Sequence, residues 1–276
     1  MDQRDPLILE ACYRNTNTCF GRHFHHAYEF MYITGGSIRV RIGGQEYIAN
    51  PNHMILFSNL EEHEGFLLQA PFQRYYATIS AEQADRLVNE PVLISLLKNR
   101  PVNFCHVIDV TGMEAEFSEF FDIVITERET PGTFSNDLCA LSLKKLLISL
   151  YRKKREYFPK LDNPMHAVIY NIQKYLDENY MQPIRIEELA RNFYVDLYYL
   201  SHCFKEQTGY SPKQYLMKVR VSRARELLIH SKLPISEVAF RCGFGDVNNF
   251  IRSFKSDTGS TPNQYRKLAD RKIDVF

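Results

Sequence analysis

Phe204-Lys205-Glu206-Gln207-Thr208-Gly209-Tyr210-Ser211-Pro212-Lys213-Gln214-Tyr215 returns, about fifty residues on, as Phe254-Lys255-Ser256-Asp257-Thr258-Gly259-Ser260-Thr261-Pro262-Asn263-Gln264-Tyr265. Phe, Lys, Thr, Gly, Pro, Gln and Tyr all recur in register. Upstream, Ile186-Glu187-Glu188-Leu189-Ala190 is echoed by Ile235-Ser236-Glu237-Val238-Ala239, one residue out of that register. So many identities in phase mark two copies of one supersecondary unit.

Each copy reads as helix, tight turn, helix. Ile186, Leu189 and Ala190 share one face of a short helix, and Leu197, Leu200, Cys203 and Phe204 share one face of the next. In the second copy the matching sets are Ile235, Val238 and Ala239, then Val247, Phe250 and Phe254. Asp196 and Asp246 stand where a carboxylate caps the second helix of each pair. Gly243-Phe244-Gly245 supplies one turn, and Phe193-Tyr194-Val195 does the same work without glycine. Thr-Gly then stops each second helix, and Pro212 and Pro262 open the next.

Such a pair is a helix-turn-helix, whose second helix can enter the major groove of DNA. With Leu200 and Phe204 turned inward, the opposite face presents Tyr198, Ser201, His202 and Lys205. The second copy presents Asn248, Ile251, Arg252 and Lys255. Arg252 suits guanine and Asn248 adenine, while Lys205 and Lys255 suit phosphates. Any one of these residues could be plain solvated surface; two matched faces in two matched motifs point to double-stranded DNA.

Residues from about Met165 to Leu268 resemble the DNA-binding domain of the AraC/XylS family of bacterial transcription regulators. The resemblance is densest in Ile235-Ser236-Glu237-Val238-Ala239-Phe240-Arg241-Cys242-Gly243-Phe244, followed by Phe250, Phe254-Lys255, Thr258-Gly259, Pro262 and Gln264-Tyr265-Arg266. It implies a shared linker helix, Pro212 to His230, and recognition helices entering successive major grooves. Carried over by position, the base-facing residues are Tyr198, Ser201 and His202, then Val247, Asn248, Ile251 and Arg252. The periodicity alone puts Val247 at the inward edge. Where the family often has Arg in the first recognition helix, this chain has His202.

A chain of 276 residues suits two domains. Its net charge of +1 divides unevenly, about −4 up to Pro164 and about +5 beyond it, and the basic part is the helical repeat. Met1 to Glu10 carries no signal pattern, and no apolar run reaches membrane-spanning length. Cys12, Cys19, Cys105, Cys139, Cys203 and Cys242 form no CxxC, which points to thiols in a reducing cytoplasm.

Residues 10 to 80 read as β. Phe30-Met31-Tyr32-Ile33 leads to a turn at Gly35-Gly36, and Ile38, Val40 and Ile42 alternate up to Gly43-Gly44. Met54 to Phe57 and Tyr75 to Ile79 are further strands, together a small barrel or jelly roll. Within it, His23, His25, Glu29, Gly36 and later His63 follow a spacing that resembles the cupin motifs, although Asn52 and Leu60 stand where glycine is usual. In metal-binding cupins the three histidines and the glutamate hold one divalent ion. In regulators of the resembled family such residues commonly line a small-molecule cavity without metal. Three readings therefore stand side by side: no cofactor and a polar ligand pocket, a divalent metal at the same four residues, or histidines satisfied by backbone partners.

From Ala81 the pattern turns helical, through Asn99 with a break at Pro91, then Met113 to Glu129 and Phe134 to Tyr157, with a strand between at Phe104 to Val110. In the last helix Leu138, Leu141 and Ile148 share one stripe and Ala140, Leu143, Leu147 and Leu150 another, a pattern for packing or for a subunit interface. The expected fold class is thus α+β: a cupin-like β-barrel over 1–80, a helical dimerisation segment over 81–157, a linker over 158–164 and an all-α double helix-turn-helix domain over 165–276. The resemblance implies a cytoplasmic homodimeric regulator, usually an activator that contacts RNA polymerase, with a small-molecule effector, often a sugar. The rival reading is a metal-dependent cupin enzyme using His23, His25, Glu29 and His63, which leaves the repeated helix-turn-helix without purpose.

Overall fold

The computed structural model describes residues 6–98, 100, 104–158 and 164–273. The chain divides between Ala167 and Val168 into two compact units. In the first, β1 (Ile8–Thr16), β2 (Ala27–Ile42), β3 (Gln45–Ala49), β4 (His53–Phe57), β5 (His63–Ser80) and β6 (Val107–Asp109) form one sheet in the order β1-β5-β2-β4-β6, with β3 also on β2. All its pairings are antiparallel. Among the described residues four α-helices, α1 (Ala81–Val88), α2 (Pro91–Ile94), α3 (Glu114–Glu129) and α4 (Ser135–Lys153), and a short 3-10 helix, Arg155–Tyr157, accompany it.

Gly35-Gly36 is not a turn. β2 runs straight through it and pairs with β5 from Ala27↔Ser80 to Ile42↔His63, with register shifts between Ile33 and Ile38. Before the irregularity the odd positions Met31 and Ile33 enter the core; after it the even positions Ile38, Val40 and Ile42 do. A strand that slips by one residue exchanges its faces, so this bulge lets both halves of β2 line one apolar core with Ile55, Phe57 and Phe72. Gly36 is needed there, because its φ is +71° and a Cβ would lie 2.3 Å from the Pro71 carbonyl oxygen.

The other face of β2 meets helix α3, where Tyr32 stacks on Phe117 at 4.7 Å and Phe30 approaches Phe120 at 6.1 Å. The stretch 81–157 is accordingly no separate layer: its β6 pairs with β4, and its helices share the sheet's compact unit. In α4 the stripe of Ala140, Leu143, Leu147 and Leu150 is buried, while Leu138 and Leu141 are exposed. Asn99, residues 159–163 of the expected linker and 274–276 lie outside the described residues.

The helices of the second unit are α5 (Pro164–Asn179), α6 (Ile186–Asn192), α7 (Leu197–Thr208), α8 (Pro212–His230), α9 (Ile235–Arg241), α10 (Val247–Thr258) and α11 (Pro262–Ile273). The expected linker helix appears with its predicted bounds as α8, and it contributes Val221, Ala224 and Leu228 to a core shared with α9 and α10. Ser211 and Gln214 close a reciprocal capping box at its start.

Candidate functional site

The sequence repeat returns in the bonds that start and stop the two recognition helices. Asp196 accepts from the Tyr199 amide at 2.9 Å and Asp246 from the Asn249 amide at 2.8 Å, so each recognition helix begins on a carboxylate cap. Thr208 donates to the Phe204 carbonyl at 2.7 Å, as Thr258 does to Phe254 at 2.8 Å. Gly209 and Gly259 close the helices at φ of 77° and 76°. Phe204 meets Tyr215 edge to face at 5.4 Å, and Phe254 meets Tyr265 at the same distance.

These shared anchors turn equivalent faces outward. Tyr198, His202 and Lys205 are exposed on α7, and Asn248, Arg252 and Lys255 are exposed at the same spacing on α10. Ser201 is half-buried and donates to the Leu197 carbonyl at 2.8 Å. Val247 and Ile251 are half-buried against the core of the unit, so their side chains are shared between packing and the outer face. Tyr194 lies in the turn expected to do without glycine. It is 97% exposed in the left-handed region, φ +55°, at the position that Gly243 fills in the second copy with φ +79°.

In the first unit His23, His25, Glu29 and His63 do come together, with one ligand atom from each lying within 4.8 Å of the others. The segment before β2 runs antiparallel to the start of β5: His23 and His63 exchange backbone hydrogen bonds at 3.0 and 2.9 Å. The Leu60 amide reaches the His25 carbonyl at 2.8 Å. Leu60 and Asn52 take φ of +63° and +64°, so the two positions where cupins usually have glycine keep a glycine-like backbone without it. Glu29 projects from β2 on the same side as Met31, 3.0 Å from His25 Nε2 and 4.0 Å from His63 Nε2. His63 is 1% exposed and stacks on Phe57 at 4.0 Å.

Burial pushes the His63 pKa down to about 4, the Glu29 charge opposing it, so that ring is neutral at pH 7. Burial also works to raise the Glu29 carboxyl, but the hydrogen bond with His25, with smaller contributions from the neighbouring rings, outweighs it and holds that pKa below the ordinary value. An ionised carboxylate among imidazole nitrogens is a donor set for a divalent metal and equally an acceptor set for hydroxyl groups.

Residues 6–138 match the family model described as the AraC-like ligand binding domain, and residues 189–268 match a helix-turn-helix domain. The Msm operon regulatory protein of Streptococcus mutans is 25% identical over 72% of this chain and 69% of its own length. The HTH-type transcriptional activator RhaS of Klebsiella pneumoniae is 40% identical over 35% of this chain and 34% of its own, and an Escherichia coli RhaS is 24% identical over 91% and 89%. In fold the chain is similar to apo ToxT from Vibrio cholerae, with a TM-score of 0.63 at 15% identity over 96% of this chain and 98% of that one. The relatives are regulators, which sets aside the reading as a metal-dependent cupin enzyme. With a ligand-binding domain and a double helix-turn-helix in one polypeptide, the chain belongs to the AraC/XylS family of ligand-responsive, DNA-binding transcription regulators.

Proposed function

We propose that the chain is a cytoplasmic transcription activator, working as a homodimer whose DNA occupancy is set by a small hydroxyl-rich effector, a sugar or sugar derivative, in the sheet unit. The observation that carries the DNA half is the pair of exposed stripes, Tyr198, His202 and Lys205 with Asn248, Arg252 and Lys255, at one helical spacing on two helices that each begin on an aspartate cap and end on a left-handed glycine. Side chains of this kind at this spacing suit base edges and phosphates in two successive major grooves. Activation through contact with RNA polymerase is supported by the name transcriptional activator that the RhaS relatives carry. Among the described residues no helix is long and apolar enough to cross a membrane.

The sugar class is supported by the acceptor-rich cluster of His23, His25, Glu29 and His63 beside an apolar core. An effector changes DNA occupancy only if it binds the active arrangement more tightly. The dimer is supported by Phe134, Leu138 and Leu141, which leave an apolar stripe exposed along α4. Selection of bound sites from a random DNA library, with and without a panel of sugars, tests the whole reading. An enriched pair of boxes about one helical turn apart, tightened by one sugar, is the expected result. Binding without sequence preference under every condition would overturn it.

A further inference from the structure

We propose that Arg220 and Lys218, leaving α8 on nearly opposite sides, brace the two helix-turn-helix motifs against each other and so set the spacing between DNA boxes that the protein accepts. This rests on the reading of α7 and α10 as recognition helices.

The two motifs are fastened to different stretches of α8. Tyr215, near its start, supports Phe204 of the first motif, while Val221, Ala224 and Leu228, farther along, enter the core of the second. A helix resists bending, but elements packed on different parts of it can still slide and tilt about their own contacts. Two helices that must enter successive major grooves together tolerate little of that motion.

Arg220 lies between the two stretches and touches both motifs. Its Nε donates to the Tyr180 carbonyl and its Nη2 to the Gln182 carbonyl, each at 2.7 Å, so it grips the segment that leads from α5 into the first motif. That segment abuts the turn of the second motif. A Cβ on Gly243 would lie 2.5 Å from the Tyr180 carbonyl oxygen, 2.9 Å from Met181 Cα and 3.0 Å from Arg220 Nε.

The two turns are built alike but used differently. The Tyr194 amide donates to the Arg191 carbonyl at 3.1 Å and that of Gly243 to Phe240 at 3.0 Å; Val195 donates to Ala190 at 2.9 Å and Phe244 to Ala239 at 3.0 Å. Yet the ring of Tyr194 stands in solvent, whereas Gly243 is packed against the other motif's entry segment. Equal backbone bonding means that the turn itself does not require this contact. The contact fixes one motif on the other.

Lys218 makes the second bridge. It donates to Asp257 Oδ1, in the last turn of α10, at 3.0 Å, and its Nζ lies 5.1 Å from the centre of the Tyr210 ring, just past the end of α7. Both charged side chains are largely shielded from solvent, so salt screens the pair weakly. Residues two apart on an α-helix point about 200° away from each other. One bridge leaves a motif free to pivot about it; two on opposite sides oppose rotation in either sense.

The full-length protein first selects its best site from random DNA. Duplexes carrying that site with its spacer unchanged, lengthened or shortened by a single base pair are then titrated. One added pair moves a box by about 3.4 Å and about a tenth of a turn. Wild-type protein should lose at least about tenfold in affinity at either altered spacing. Arg220→Gln and Lys218→Met should each shrink that penalty, and the double variant should bring it to within about threefold, with the base preferences of each box unchanged. Lys218→Arg, which retains the cation, should keep the wild-type penalty. Because the penalty is a ratio of affinities, loss of folded protein alone does not move it. A double variant weakened equally at all three spacings would overturn the proposal and leave the DNA reading intact. Wild-type protein that selects no site would overturn both.

Discussion

The Tyr215 hydroxyl donates to both carboxylate oxygens of Asp177, at 2.9 and 3.2 Å, and both residues are buried. This joins α8 to α5 beneath the first recognition helix, on the same tyrosine whose ring supports Phe204. Tyr215→Phe should destabilise the second unit by about 1–3 kcal/mol, because a buried carboxyl acceptor loses a donor. Hydrogen exchange checks it: amides of α5 and α8 should exchange faster, with those of the β-sheet unchanged. Tyr265, whose hydroxyl accepts from Arg225 at 2.9 Å in a less buried setting, should tolerate Phe at a smaller cost.

On the recognition faces, Arg252→Ala should cost about 1–3 kcal/mol of specific affinity and relax one base preference. Lys255→Ala should weaken all sequences alike and reduce the salt slope by about one. Competition binding against a site library at several salt concentrations separates the two. A uniform loss for Arg252→Ala would make it a phosphate contact.

Leu141 is 66% exposed in the middle of the apolar stripe on α4. Leu141→Glu should convert the proposed dimer to monomer in sedimentation experiments, with circular dichroism unchanged. A dimer that survives this change associates through some other surface.

Lys98 and Asp85 form an ion pair at 2.7 Å with side chains only 1% and 4% exposed. Lys98→Met alone should destabilise the sheet unit by about 3–5 kcal/mol, since it removes the cation beside a buried carboxylate. Lys98→Met combined with Asp85→Leu should recover most of that loss, to within about 1 kcal/mol of the parent. Urea denaturation of the parent, both single variants and the double variant measures the coupling.

His106 has its pKa pushed down to about 4 by burial, with the adjacent Arg100 adding to the effect and Glu61 opposing it. Between pH 6.5 and 4 the unfolded chain therefore takes up a proton that the folded chain refuses. Stability is full above pH 6.5 and falls as pH falls through that window, by up to roughly 3 kcal/mol from this residue. His63 adds a loss of the same sign. Thermal unfolding across the window should show a shallower decline for His106→Gln.

The double helix-turn-helix was legible from residues alone because its determinants are local. Asp196 bonds three residues ahead and Thr258 two ahead to Ser260, and the repeat doubles each signal. Hydrophobic period, caps and stop signals lie within one turn of the backbone they control, so reading them needs no knowledge of the rest of the chain. The grouping of His23, His25, Glu29 and His63 was legible for a different reason, the resemblance of their spacing to a known motif.

Long-range pairing decided the remainder. Gly35-Gly36 is equally good as a turn or as a bulge until β5 supplies Pro71 and Gln69 across from it. The polar run through Gln69 and Arg74 hid a strand as long as β5, whereas the strand expected within Phe104 to Val110 is present as β6, paired with β4. Lys98 and Arg100 look like surface residues in one dimension, yet the fold buries both and provides Asp85, Glu61 and the Leu56 carbonyl as partners. Periodicity along a chain specifies which face of an element turns inward. Which partner waits there, and which lone pairs are left without one, depends on contacts between residues far apart in sequence, and only the folded protein contains those.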